Sequence, residues 1–253
     1  MAKIRLSGVV TVYGGIAVQS IGFKRYLPLG KPEHLVKNLD TWGADEIIIQ
    51  CIDRSLIEKK PYFELVERLG NLGITTPLIY SGGIKNIDDA TKLIRLGADR
   101  LIFNSLFQDD QNEVMNISKV LGSQAIIVCM PLENIGGKIK WYDYRNRKTN
   151  EIRNNTYEFL NSGYVSEILV SDWLNDGFID KFNINILKIL DNLNIPVIAF
   201  GGISSCKLIS KIIKYDGVIS IAIGNALNYK EHGIQLRKSL LESTGLFRIS
   251  EYK

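Results

Sequence analysis

A short glycine-containing pattern occurs twice in this sequence. Ser81-Gly82-Gly83-Ile84 returns as Phe200-Gly201-Gly202-Ile203, at a separation of about 119 residues. Each glycine pair follows a run of apolar and β-branched residues, where a strand is expected to end. In a chain of 253 residues, a repeat with this offset indicates two fused and equivalent halves, roughly 1–121 and 122–253.

Short β-branched runs alternate with longer segments whose apolar residues have helical spacing, which predicts β-α units and a parallel sheet. An open doubly wound sheet is the competing architecture, but it is not expected to repeat its glycine pair halfway along the chain. We therefore predict an α/β fold, a single (β/α)8 TIM barrel over residues 1–253, with a hairpin at Lys138–Lys148 as a decoration. The eight predicted strands are Ile4–Val12, Glu46–Cys51, Thr76–Tyr80, Arg100–Asn104, Ala125–Cys129, Glu167–Ser171, Pro196–Phe200 and Gly217–Ile223.

Composition narrows the functional classes. The formal net charge of +4 is spread along the chain, which argues against nucleic-acid binding and is compatible with an anionic small-molecule ligand. The three cysteines lack metal-ligand spacing, so we expect no metal, no cofactor and a reducing, cytoplasmic environment. The apolar run near the start is short and interrupted, so it is expected to be a strand, and no membrane span is predicted.

Glycine pairs at strand ends allow the backbone to approach a phosphate closely and to bind it through N–H groups. Glycines that only form tight turns are the alternative explanation, which the duplication makes less favourable. Two such cradles across a barrel mouth would suit a ligand with a phosphate at each end. The candidate phosphate-binding residues are Gly82, Gly83, Asn104, Ser105, Gly177, Gly201, Gly202, Gly224 and Asn225.

Several stretches, in order and over nearly the whole chain, resemble the cyclase subunit of imidazole glycerol phosphate synthase, a glutamine-amidotransferase barrel of histidine biosynthesis. The stretches that carry the resemblance are Gly43-Ala44-Asp45-Glu46, Ser81-Gly82-Gly83-Ile84, Leu96-Gly97-Ala98-Asp99-Arg100, Leu121-Gly122-Ser123-Gln124-Ala125, Glu167-Ile168-Leu169, Asn175-Asp176-Gly177 and Ile198-Ala199-Phe200-Gly201-Gly202. The resemblance implies one phosphate site at Gly83, Asn104 and Ser105. A second would involve Asp176, Gly177, Gly202, Gly224 and Asn225.

The resemblance also implies two catalytic aspartates, at the ends of strands one and five, but this sequence has Thr11 and Pro131 there. Threonine is not a base near neutral pH and proline has no acidic group, so neither replaces a carboxylate in acid–base chemistry. Polar mouth residues that could form a different site are Asp53, Asp172 and Asp176.

At the opposite end of the barrel the family's pattern is kept. The resemblance implies a charged gate for ammonia at Arg5, Glu46, Arg100 and Glu167, with an arginine in place of the family's lysine, and a glutaminase-docking role for Asp99. A purely structural cluster of ion pairs is the alternative.

These features lead to a hypothesis in which the barrel conducts ammonia and has lost the cyclase chemistry. A glutaminase subunit would form a heterodimer with the chain, and an ATP-dependent sugar amidotransferase would use the ammonia in surface-polysaccharide biosynthesis. A phosphorylated small molecule is the expected ligand of the mouth. The alternatives are an authentic cyclase of histidine biosynthesis, or another lyase, and a non-catalytic scaffold that binds a phosphorylated ligand.

Overall fold

A computed structural model of the chain describes residues 3–56, 59–228 and 231–248. Its strands are β1 (Arg5–Tyr13), β2 (Ile16–Ile21), β3 (Arg25–Gly30), β4 (Glu46–Cys51), β5 (Leu78–Ser81), β6 (Arg100–Phe103), β7 (Ile126–Ile135), β8 (Lys138–Asp143), β9 (Lys148–Glu151), β10 (Glu167–Asp172), β11 (Val197–Phe200) and β12 (Val218–Ile223). Its helices are α1 (Pro32–Thr41), α2 (Asp53–Leu56), α3 (Phe63–Gly70), α4 (Ile87–Arg95), α5 (Ser105–Asp109), α6 (Gln111–Leu121), α7 (Asn154–Leu160), α8 (Cys206–Ile212) and α9 (Gly233–Leu241).

Eight parallel strands close into a barrel. Neighbouring strands follow the order β1, β4, β5, β6, β7, β10, β11 and β12, and pairing of β12 with β1 completes the circle. Each predicted barrel strand overlaps one of these eight, so the predicted TIM barrel is confirmed. Parallel strands end at the same side of a sheet, so the loops after them share one rim, which we call the mouth.

The barrel strands alternate between two apolar layers, because successive side chains of a strand point to opposite faces. One layer packs between the strands and the surrounding helices. The other fills the barrel interior and consists of Val9, Ile48, Ile79, Ile102, Ile127, Cys129, Leu169, Ile198, Phe200 and Ala222; we call it the inner cluster.

Two hairpins extend from the mouth. The predicted one is confirmed: β7 continues beyond the barrel and pairs with β8, which pairs with β9. The other, formed by β2 and β3, was not predicted. Its two strands are joined by residues 22–24, which pair Ile21 with Arg25. A tight turn at Gly14 and Gly15, both with positive φ, joins β2 to β1 and pairs Tyr13 with Ile16. Two residues with positive φ are what a tight hairpin turn of this kind requires.

The helical spacing of apolar residues predicts helices over 32–42, 61–72, 88–96, 112–121, 156–162, 184–193 and 206–214. Most of them are present with shifted ends. The helix predicted over 184–193 is instead a 3₁₀-helix, Ile184–Asn192, and α9 was not predicted. None of the described helices is long and apolar enough to cross a membrane.

Candidate functional site

Two cavities of similar size open at the mouth, one beside each glycine pair. The first has a volume of about 480 Å³ and is lined by Ser81, Gly82, Asn104 and Ser105. The second has a volume of about 490 Å³, and the candidate phosphate residues in its lining are Gly177, Gly201, Gly202, Gly224 and Asn225. The structure thus brings the predicted phosphate residues together as two separate groups, except that Gly83 lies outside both linings.

The two glycine pairs make equivalent close approaches. A Cβ on Gly82 would lie 2.3 Å from the carbonyl oxygen of Cys51, and one on Gly201 would lie 2.5 Å from that of Asp172. Both glycines have positive φ, which L side chains rarely adopt. Backbone packing alone therefore requires glycine here, and the case for phosphate binding depends on the cavities beside the glycines.

The Asn225 side chain is already engaged in the structure. Its Oδ1 accepts a hydrogen bond from the Ser20 amide at 3.2 Å, and its Nδ2 donates to the Ser20 carbonyl oxygen. The Asn225 side chain thus fastens β2 to the loop after β12. In the first half, Asn104 Oδ1 accepts from Gln108 Nε2 at 3.3 Å, and Ser105 Oγ lies 3.4 Å from Ser55 Oγ.

The tip of the β2–β3 hairpin lies over the barrel axis. Phe23 lines the first cavity and packs against the inner cluster. The Gly22 amide donates to the carbonyl oxygen of Asp176, which lines the second cavity. In this conformation the hairpin contributes walls to both cavities, because Gln19 of β2 lines the second.

The positions of the expected catalytic aspartates are buried among barrel strands. Thr11 lies two residues beyond Val9 of the inner cluster, and Pro131 lies two residues beyond Cys129, so both face the interior near the mouth. Neither lines either cavity. Cys51 lines the first cavity, where burial raises the pKa of its thiol to about 12.

The three mouth aspartates have different environments. Asp172 accepts hydrogen bonds from the Asn175 amide, the Asn175 side chain and the Asn183 amide, so it orders its own loop. Asp53 accepts a long hydrogen bond, 3.4 Å, from the Gly14 amide. Asp176 is buried in the second cavity, and its Oδ2 makes no hydrogen bond within the described residues.

Burial raises the pKa of Asp176 to about 7, and Asp172 acts in the same direction, although the Ser20 hydroxyl and the Phe23 amide nearby favour the charged form. Asp53 lines neither cavity, and Asp172 does not line the second. The structure therefore does not bring the three carboxylates to one place.

The four predicted gate residues form a closed ring of ion pairs at the opposite end of the barrel. Arg5 lies 2.9 Å from Glu46 and 2.5 Å from Glu167, and Arg100 lies 3.2 Å from Glu46 and 2.9 Å from Glu167. Each side chain thus pairs with both of its neighbours of opposite charge. Burial opposes the charge of Arg5, but Glu46 and Glu167 outweigh it and raise the pKa of Arg5 above its ordinary value.

Just inside the ring lies a small polar layer. The Ser7 hydroxyl donates to Glu46 at 3.1 Å and lies 2.8 Å from the Ser220 hydroxyl, and the apolar inner cluster begins beyond it. The exposed Asp99 lies beside Arg100 on this same face, and its Oδ2 accepts from the Leu78 amide at 2.7 Å.

The sequence interpretation missed two features of the mouth. Tyr142 and Trp173 stack at 3.6 Å between ring centroids beside the first cavity, and Arg237 lines the second. Tyr142 comes from the decorating hairpin and Trp173 from the loop after β10, so their contact depends on tertiary structure. Arg237 belongs to α9, whose weakly amphipathic sequence gave no signal for a site.

Comparison with known proteins gives a consistent picture. A family model described as "Histidine biosynthesis protein" matches residues 5–233. A putative imidazole glycerol phosphate synthase subunit hisF2 from Vibrio vulnificus (strain YJ016) is 30% identical over 248 residues, which cover 97% of this chain and 91% of that protein. The imidazole glycerol phosphate synthase subunit HisF from Pyrococcus furiosus is 27% identical over 251 residues, which cover 97% of this chain and 98% of that protein.

Proposed function

The chain belongs to the histidine biosynthesis protein family as a divergent relative of the cyclase subunit, and we propose that it conducts ammonia within a glutamine amidotransferase complex. A glutaminase partner would release ammonia at the face that carries the ring of Arg5, Glu46, Arg100 and Glu167. The barrel interior would carry it to the mouth. The observation that carries the proposal is this closed ring, set below an apolar interior.

The chemistry of the interior supports passage of a neutral molecule. Beyond Ser7 and Ser220 the inner cluster contains apolar side chains and the Cys129 thiol, whose pKa burial raises to about 12. Such a lining disfavours ammonium and hydroxide because a charge would lose its hydration there. Ammonia, being small and uncharged, would keep its nucleophilic lone pair until it reached the mouth.

The mouth supports consumption of the ammonia by another protein. Ring closure in the family needs a general acid and a general base, and Thr11 and Pro131 provide neither at the inferred positions. We propose that an ATP-dependent sugar amidotransferase receives the ammonia and converts an N-acetyl group into an acetamidino group for a surface polysaccharide. The phosphorylated ligand bound at the mouth would then not be cyclised. It would instead position the acceptor sugar or signal that this sugar is present.

An isotope-competition experiment tests channelling. The chain, its glutaminase and the amidotransferase are supplied with glutamine carrying ¹⁵N at the amide and with excess unlabelled ammonium. Channelled ammonia would give an acetamidino group that retains most of the ¹⁵N, because the transferred nitrogen never mixes with the solvent pool. A label diluted to the ratio of the free ammonium pool would contradict the proposal.

Histidine-pathway cyclisation is the second candidate, and the similarity to named synthase subunits over nearly the whole chain favours it. Complementation separates the two: we expect no growth without histidine when the chain replaces the cyclase of a deletion strain. Ammonia-dependent turnover of the pathway's ribulosyl intermediate by the purified chain is the matching assay. Growth or turnover would overturn the loss of cyclase chemistry.

A further inference from the structure

A buried cation lies in the second cavity. Arg237 is 8% exposed and projects from α9 into the lining that also contains Gly202, Ser204 and Asn225. A charge removed from water is costly unless opposite charge or polar groups surround it. The groups around this guanidinium therefore indicate what it is placed to bind.

Within the described residues, carbonyl oxygens are the hydrogen-bond partners of the Arg237 guanidinium. Its Nε donates to the Ser204 oxygen at 3.0 Å, its Nη1 to the Gly233 oxygen at 2.8 Å, and its Nη2 to the Ala226 oxygen at 3.4 Å. A guanidinium has five N–H groups, so one on each terminal nitrogen remains. Three carbonyls fix the orientation of the side chain but do not neutralise its charge.

The other arginines with a shifted pKa provide a comparison. Arg5, Arg68 and Arg145 each pair with carboxylates and have raised pKa values. Burial instead lowers the pKa of Arg237, as expected for a guanidinium that no carboxylate contacts in the described part of the chain. Asp180 attracts it through space but lies beyond ion-pair distance, and its Oδ1 accepts the Ser204 and Ser205 amides.

The cavity is larger than a phosphate group needs. Its volume of about 490 Å³ is in the range of small-molecule sites, and Phe178, Ile179 and Phe200 give it an apolar wall. Asp176 Oδ2, which is buried and has no hydrogen-bond partner among the described residues, offers an acceptor in the same space. A ligand that presents an anionic group to Arg237 and a hydroxyl donor to Asp176 would use both groups, and a sugar phosphate has both.

We propose that Arg237 binds the phosphate of a singly phosphorylated sugar in the second cavity, and that this cavity holds the ligand without the first. The inference rests on the phosphate-binding part of the proposed function and not on ammonia transfer. It predicts that the two cavities differ in their affinity for phosphate. The first cavity is bordered by Lys24, Arg145 and Arg147, but each of these is far more exposed than Arg237. A buried, pre-oriented guanidinium gains more from an anion than a solvated one does.

Calorimetric titration of the full chain with ribose 5-phosphate tests the proposal, with inorganic phosphate and ribose as reference probes. We expect the ester to bind with one site per chain and ribose not to bind detectably. Arg237→Gln should weaken binding at least tenfold, since it removes a charged hydrogen-bonding partner, and Arg237→Lys should have an intermediate effect. Lys207→Gln is the matched control, because it removes one exposed charge from nearby α8 and should bind like the wild type.

The outcomes separate the two claims. If the wild type binds neither ester nor phosphate, the phosphate part of the proposed function fails together with the inference. If the wild type and Arg237→Gln bind equally, only the role of Arg237 is overturned. Arg237 also connects α9 to two loops, so circular dichroism must show that each variant is folded. Should Arg237→Gln not fold, a wild-type crystal soaked in ribose 5-phosphate decides: a phosphate hydrogen-bonded to Arg237 supports the proposal, and any other position contradicts it.

Discussion

Each guanidinium of the ring bridges two carboxylates, so the four side chains form one network. Their side chains are between 7% and 21% exposed, which places them partly out of water. Removing one partner from such a network leaves the remaining charges partly buried without full neutralisation. The resulting loss of stability exceeds the net contribution of the ion pair to folding. The ring is thus a stabilising element as well as a candidate gate, and the two roles need separate measurements.

Glu167→Gln should lower the free energy of unfolding by about 3 kcal/mol, because Arg5 and Arg100 each lose a charged partner. Urea unfolding followed by circular dichroism measures the change. Glu33→Gln is the matched control: the Glu33–Arg68 pair is 2.7 Å long but Arg68 is 47% exposed, so its loss should cost less than about 1 kcal/mol. Equal effects of the two substitutions would show that the ring is not a coupled, desolvated network.

Asp176 should make stability depend on pH. Its pKa of about 7 in the folded chain lies above its ordinary 3.8, so the folded state binds more protons than the unfolded state between these values. The wild type should therefore lose up to roughly 4 kcal/mol relative to Asp176→Asn as pH rises from about 4 to about 7, and the difference should then stay level. Parallel stability curves for the two proteins would contradict the raised pKa.

The barrel strands were predictable because each is a short β-branched run bounded by turn residues. The β2–β3 hairpin was missed although a signal for its first strand was present: Gly14-Gly15 separates β1 from β2 by two residues, as in a tight hairpin turn. The side chains that line the cavities were harder to predict. Arg237 and the Tyr142–Trp173 stack depend on how α9 and the second hairpin pack, which no local pattern encodes.

The hairpin is held to the barrel by few bonds, so one substitution should release it. Asn225→Ala removes both hydrogen bonds to Ser20 and should speed amide hydrogen exchange in 16–30 roughly tenfold or more, with little change in the barrel strands. Asn146→Ala is the control, because Asn146 bonds to Asp143 within the other hairpin. Unchanged exchange in 16–30 would mean that Phe23 packing and the Gly22–Asp176 hydrogen bond hold the hairpin without Asn225.

The two ends of the barrel differ in how much of the pattern implied by the resemblance they contain. The ring has the charge pattern that the resemblance implies, whereas the mouth has Thr11 and Pro131 where the resemblance implies aspartates, and a buried Arg237 beside the second cavity. A shared ancestor of the two halves would explain why both have the same glycine turns. The charges beside the two turns nevertheless differ, because only the second cavity has a buried arginine in its described lining. We therefore expect substitutions in the ring and in the second cavity to affect function most.

The half-barrel division stays a prediction, and the strand order provides its test. Fragment 1–121 contains β1, β4, β5 and β6, and fragment 122–253 contains β7, β10, β11 and β12, so each has two edges that pair only with the other. Co-expressed fragments should form a one-to-one complex with the circular dichroism of the intact chain, because association buries both edges and the inner cluster. A cut between Leu65 and Val66, both buried in α3, is the control and should not give a stable complex. Light scattering after size exclusion distinguishes these results, and equally stable complexes from both cuts would remove the support for two half-barrel units.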